Sequence, residues 1–157
     1  MAIFGGNSRK VLDTVHPDLV KIHERVISKY NFDHSVYEGI RTDEKQLEYF
    51  LGGKSKLDPR DPDLRKSAKH LKQPDGFSHA TDSAPYPIDW GNGKDKKAEK
   101  ARARFYMFAG YMFAACAELL SEGKITHTIR WGGDWNSDKN FNDQTFDDLP
   151  HFELRKI

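Results

Sequence analysis

The chain has a single cysteine, Cys116, which excludes an intramolecular disulfide and any cysteine-rich zinc cluster. Charge imbalance is missing as well. Lys and Arg number 25 against 24 Asp and Glu in 157 residues, a formal +1 that sets up no field to gather polyanions, so nucleic acid is not an expected partner. The first ten residues, MAIFGGNSRK, lack the apolar core of a secretory signal, which reads as a soluble product made in the cytoplasm. No stretch has membrane length either: the apolar run from Phe105 to Leu120 covers about 16 residues, short of the roughly 20 that cross a bilayer. Cys116 lies inside that run and reads as a small core residue. Repeats and low-complexity segments are absent too.

What remains fits one domain, residues 1–157, with no second domain expected. Residues 15–30 carry Leu19, Val20, Ile22, His23, Val26 and Ile27 at helical spacing, with Pro17 in the first turn. Residues 35–40 alternate like a short strand, and Thr42 is placed to cap a helix ending at Gly52 and Gly53. That junction presents Arg41. Residues 54–78 are a polar loop with short helical turns at most, and 85–90 an extended piece. The longest helix, 96–122, is expected to be the buried central one. Residues 125–131 alternate like a strand, and the tail after His151 is strand-like.

The chemistry gathers at that tail. Asp148 stands three residues before His151, setting an acid/base group beside a metal ligand. Zinc hydrolases draw three ligands from His, Asp, Glu and Cys and leave a fourth position open. The tail supplies one, so two more must come from upstream, where His70, His79, Asp75 and Asp82 are all candidates. His16 and His23, seven apart, have no acid at ligand-like spacing and read as partly exposed helix histidines; His34 and His127 lack an acidic partner as well and read as structural. The loop 134–143 carries oxygen-bearing side chains at alternate positions, loosely like a calcium loop, but without its central glycine or terminal glutamate. Ca2+ there is a secondary expectation.

Four blocks carry a family resemblance: Tyr37-Glu38-Gly39-Ile40-Arg41-Thr42 with Gln46; His70 followed by Ala80-Thr81-Asp82; Arg130-Trp131-Gly132-Gly133-Asp134-Trp135; and Asp148-Leu149-Pro150-His151-Phe152-Glu153. In these the chain resembles phage endolysins of the D-alanyl-D-alanine carboxypeptidase-like metallopeptidases, specifically the L-alanyl-D-glutamate peptidases. The resemblance implies an α+β fold like that of hedgehog and D,D-peptidase domains, in which a small antiparallel sheet carries the zinc and packs against helices. It implies Zn2+ held by His70, Asp82 and His151, Asp148 as general base and Arg41 stabilising the oxyanion. Gln46 and Trp131 are implied as substrate-binding residues, the two tryptophans Trp131 and Trp135 also bracing the cleft wall. His79 remains a rival to His70, because the separation of His70 from Asp82 is longer than the family's shorter forms. The implied substrate is bacterial peptidoglycan, cut by a monomer that reaches the wall through a holin-type route.

Overall fold

In the computed structural model, which describes residues 2–157, a helix unforeseen in the sequence comes first: α1 (Gly6–Leu12). It is too short to show an apolar period, yet Leu12 and the neighbouring Phe4 close a small core with Ile27 and Val36. Helix α2 (Pro17–Lys29) follows as expected. Its first residue, Pro17, lacks an amide that would go unpaired there, and His16 caps the helix by accepting from the Asp18 amide. Leu19, Ile22 and Val26 form the buried stripe.

Strand β1 (His34–Glu38) leads to α3 (Asp43–Leu51), capped by Thr42, which accepts from the Lys45 amide at 3.1 Å. Asp43 and Glu44 in its first turn suit the positive end of the helix dipole. The polar stretch holds one short helix, α4 (Pro62–Ser67), capped by Asp61. Strand β2 (Ala80–Pro85) then runs where no strand was expected, and the strand-like piece around 85–90 is irregular. The reason is burial. β2 is covered on both faces, so it lacks the polar–apolar alternation that betrays a half-exposed strand.

Helix α5 (Lys96–Ser121), capped by Asp95, packs Phe108, Met112, Cys116 and Leu119 against α2 and the sheet, while the buried Phe105 stacks on Trp90. Each Phe, Met or Leu contributes about 1.5–3 kcal/mol when fully buried. The helix is not buried all round, as the sequence had implied: Met107 is 55% and Phe113 38% exposed, because the helix covers the sheet with one face only. None of the described helices is long and apolar enough to cross a membrane. Strands β3 (His127–Trp131) and β4 (His151–Lys156) complete an antiparallel sheet in the order β1-β2-β4-β3. The architecture is α+β, with a small antiparallel sheet backed by helices.

Register sorts the side chains. Thr81 pairs with Phe152, and Ile129 with Leu154; these face the helices. The alternate pairs, Asp82 with His151 and Arg130 with Glu153, face away from them. The last strand in the chain therefore sits in the middle of the sheet, beside the strand that carries Asp82.

Candidate active site

Three atoms on the outer face of the sheet form a nearly equilateral triangle. His70 Nε2 lies 3.2 Å from His151 Nδ1, and both lie 3.3 Å from Asp82 Oδ1. Asp82 and His151 meet because β2 and β4 pair them directly. His70 arrives from the loop after α4, pinned where its carbonyl accepts from the Arg41 amide at 2.8 Å. All three residues are buried or nearly so.

The hydrogen bonds behind each imidazole fix which nitrogen carries a proton. His70 Nδ1 donates to the Gly39 carbonyl at 2.7 Å, which leaves Nε2 with its lone pair turned into the triangle. His151 Nε2 donates to the Glu153 carboxylate at 2.9 Å, freeing Nδ1 in the same way. Such outer bonds are how proteins orient metal-binding histidines. Asp82 Oδ1 is buried and makes no well-formed hydrogen bond, although two nitrogens stand close by. With both imidazoles neutral, as ligation requires, that carboxylate oxygen faces two lone pairs, which is unfavourable unless a cation, a metal ion or a proton on His151, lies among them. The residues present fit a divalent metal ion.

The charges respond to this crowding. Burial works to raise the Asp82 carboxyl, but its contacts with His151 and His70 outweigh it and hold it well below the usual carboxylate range. Burial opposes the His151 imidazolium, yet the Asp82 carboxylate 3.3 Å away and the hydrogen bond to Glu153 push its pKa up to about 9 in the metal-free chain. Asp148 behaves oppositely. Burial raises its carboxyl above the ordinary range, with the Asp82 charge adding to the effect and His151, His70 and Arg41 opposing it.

Arg41 is held from three sides. Its Nε donates to Glu38 at 2.5 Å, one terminal nitrogen donates to Gln46 Oε1 at 2.8 Å, and the guanidinium lies 4.7 Å over the Tyr49 ring. The other terminal nitrogen stands 3.7 Å from Asp82 Oδ2. Together with Trp135, Phe146 and Asp148 these groups line a cleft of about 650 Å³.

Not every expected residue stands in that cleft in the expected way. Gln46 lines it but is fully buried: its amide accepts from Arg41 and donates to Ser55 Oγ and the Leu57 carbonyl. Trp131 is 1% exposed on the helix face of the sheet, and its indole donates to the Leu149 carbonyl at 2.8 Å. It braces the segment carrying Asp148 from behind. His79 is drawn away from the triangle by Asp75, to which its Nε2 is hydrogen-bonded at 2.6 Å, beside His16. The calcium-like loop closes on itself. The Asp134 carboxylate accepts from the amides of Asp138 and Lys139, Asp138 from that of Asn140, and none of the clustered His and carboxylate groups among the described residues falls there.

Two residues went unassigned from the sequence. Glu153 orients His151 and is itself paired with Arg130 at 2.9 Å; Glu38 does the same for Arg41. Both sit close in sequence to the residue they hold, Glu153 at the two-residue spacing that shares a strand face. Gly132 is a third. Its amide donates to the His151 carbonyl and its carbonyl accepts from the Asp148 amide, both at 2.8 Å. A Cβ at Gly132 would overlap the Asp148 carbonyl oxygen and lie 3.0 Å from the Asp148 Cβ. Gly132→Ala should therefore displace Asp148 at a loss of about 1–3 kcal/mol in stability. An alanine variant that unfolds in urea at the same midpoint as the unaltered chain would contradict this.

The comparisons with known proteins agree with one another. Residues 1–155 match the family profile described as phage L-alanyl-D-glutamate peptidase. Over 144 residues the chain is 30% identical to the L-alanyl-D-glutamate peptidase of Escherichia phage T5, covering 90% of this chain and 87% of that protein. Among solved structures, the L-Ala D-Glu endopeptidase ChiX of Serratia marcescens superposes with a TM-score of 0.61 at 26% identity, across 97% of this chain and 89% of that one.

Proposed function

The chain belongs to the phage L-alanyl-D-glutamate peptidases, and from that premise we propose that it is a zinc-dependent endopeptidase cutting the L-Ala–D-Glu bond of the peptidoglycan stem peptide. The observation that carries the metal assignment is the triangle of His70, Asp82 and His151. Zinc–ligand bonds of about 2.0–2.1 Å at tetrahedral angles put ligand atoms about 3.3–3.4 Å apart. The three edges, 3.2, 3.3 and 3.3 Å, suit one face of such a tetrahedron. Two imidazoles and one carboxylate are a donor set for zinc, not for calcium, which takes oxygen ligands.

A zinc ion there supplies Lewis acidity, polarising the scissile carbonyl and acidifying the attacking water. The rest falls to the chain. Asp148, its carboxyl raised by burial, accepts the water's proton and delivers it to the departing amine. Arg41, clamped by Glu38 and Gln46, presents its guanidinium to the negative charge that builds on the carbonyl oxygen. Because it is held before substrate arrives, little reorganisation is needed at the moment of reaction. Single-domain organisation over residues 1–157, action as a monomer and delivery to the wall by a holin-type route belong to the same proposal.

A chelator should abolish cleavage of purified cell walls, and zinc should restore it, with mass spectrometry of the digest finding new D-Glu amino termini. Release of terminal D-Ala instead would replace this reading with a D,D-carboxypeptidase. Metal loading should also liberate close to one proton near neutral pH. His151 sits with a pKa of about 9 in the metal-free chain, so it is protonated there and must lose that proton to ligate. Calorimetric titration in buffers of different ionisation enthalpy counts it; a count near zero would contradict the assignment of His151.

A further inference from the structure

The cleft carries two kinds of charge. The sheet and the segment before β4 bring Glu38, Asp148 and Glu153, together with the ligand Asp82. The loop after α3 and the turn before His70 bring Lys54, Lys56 and Lys69. The cleft's arginines are already matched, Arg41 by Glu38 and Arg130 by Glu153. The lysines are not: among the described residues none of the three takes part in an ion pair, although the Lys69 ammonium donates to the Lys66 carbonyl at 3.0 Å. Their charges have no carboxylate partner.

Nor is their loop slack. The amides of Lys54 and Ser55 both donate to the Tyr49 carbonyl, at 2.8 and 3.1 Å, and Gln46 grips Ser55 and Leu57 from below. Through Gln46 this loop is tied to Arg41 itself. The Lys54 ammonium lies 5.5 Å over the Tyr49 ring, on the same aromatic side chain that supports Arg41. A cationic wall is thus held in fixed relation to the group that faces the scissile carbonyl.

The substrate's own charges are lopsided. On the acyl side the stem peptide offers L-Ala, which is neutral. On the amine side it offers D-Glu, which is linked through its side-chain carboxyl and so keeps its α-carboxylate free beside the scissile nitrogen. We propose that Lys54, Lys56 and Lys69 form a carboxylate subsite that reads this free α-carboxylate, placing D-Glu on the leaving-group side and excluding it from the acidic end of the cleft. The inference rests on the peptidase reading above and adds what selects its substrate. Single exposed ion pairs are weak and screened by salt, so the discrimination comes from the three together and fades with ionic strength.

The test uses the zinc-loaded full chain and two muropeptides that differ only at D-Glu, one with a free α-carboxylate and one α-amidated. The unaltered chain should favour the free acid, mainly through KM, and the preference should shrink as salt is added. In the Lys54→Gln/Lys56→Gln variant the ratio of kcat/KM, acid over amide, should fall by about tenfold, while Lys54→Arg/Lys56→Arg should keep it. An unaltered chain indifferent to amidation, or a glutamine variant with its preference intact, would overturn the subsite while leaving the peptidase reading standing. Failure to cut either muropeptide between L-Ala and D-Glu would remove that reading and the subsite with it.

Discussion

Asp148→Asn should lower kcat by about two to four orders of magnitude while the site still takes up metal. Asp148 is outside the triangle of His70, Asp82 and His151, so the amide leaves the ligand set intact. What the amide removes is the one cleft carboxylate among the described residues with no cation or imidazole in ion-pair range: Asp82 faces two histidines, Glu153 is shared by His151 and Arg130, and Glu38 holds Arg41. The pH profile gives a second readout. A base must be ionised to act, so activity should fall away on the acid side as this carboxyl takes up its proton. In the asparagine variant that acid limb should vanish from the residual activity. A variant with lost metal uptake, or with full turnover, would show that Asp148 is not the base.

The second large effect concerns stability in acid. On the helix side of the sheet the Thr81 hydroxyl lies 2.8 Å from His23 Nε2, His23 Nδ1 lies 3.0 Å from His34 Nε2, and His34 Nδ1 lies 3.0 Å from the Phe32 carbonyl. The carbonyl can only accept, so His34 Nδ1 donates, His34 Nε2 accepts from His23, and His23 accepts from Thr81. Every group is satisfied with both rings neutral. A proton on His34 would put two donors face to face in a buried site, and one on His23 would place a charge there and force the Thr81 hydroxyl to turn and accept. Burial accordingly lowers both pKa values, that of His34 to about 4 and that of His23 well below the ordinary histidine value.

The sign follows directly. The unfolded chain takes up these protons near pH 6.5 and the folded chain resists them, so stability is full above that pH and declines as the pH falls toward 4. The expected loss is about 3 kcal/mol for His34, with His23 adding to it. Urea unfolding at a series of pH values should show a slope near 1.4 kcal/mol per pH unit for each histidine. A profile that is flat between pH 6.5 and 5 would contradict the neutral pair.

Much of the site was legible, but by two different routes. The pairing of Asp148 with His151 follows from their spacing, and Thr42 as a cap from its neighbours. His70 over His79 was not decidable from spacing. The turn between them, closed by the Gln73 amide on the Phe77 carbonyl, reverses the chain, and which histidine ends on the outer face depends on Asp75 and on the Gly39 carbonyl 31 residues upstream. The histidines read as partnerless illustrate the same limit. His127 Nδ1 is hydrogen-bonded to Asp18 at 2.8 Å across 109 positions, and His34 to His23 across 11. Spacing reports neighbours along a helix or strand; it is silent about neighbours that packing a helix onto a strand brings together.

The fold failed to show itself where burial was most complete. β2 hid because both faces are covered, and the outward side of α5 was misjudged because Met107, Gly110 and Phe113 are apolar without being interior. In each case tertiary surroundings decided what composition could not.

The sheet order has a consequence for how the molecule comes into being. β4 is the only neighbour of β3 and the second neighbour of β2, and it is synthesised after both. A nascent or clipped chain ending before residue 151 would expose two open strand edges, a recognised route to clumping between chains. Zipping β2 to β4 also joins partners roughly 70 residues apart, a non-local step of the kind that slows folding. Fragments lacking the tail should accordingly be sticky and harmless to cell walls, the lytic power arriving with the final strand.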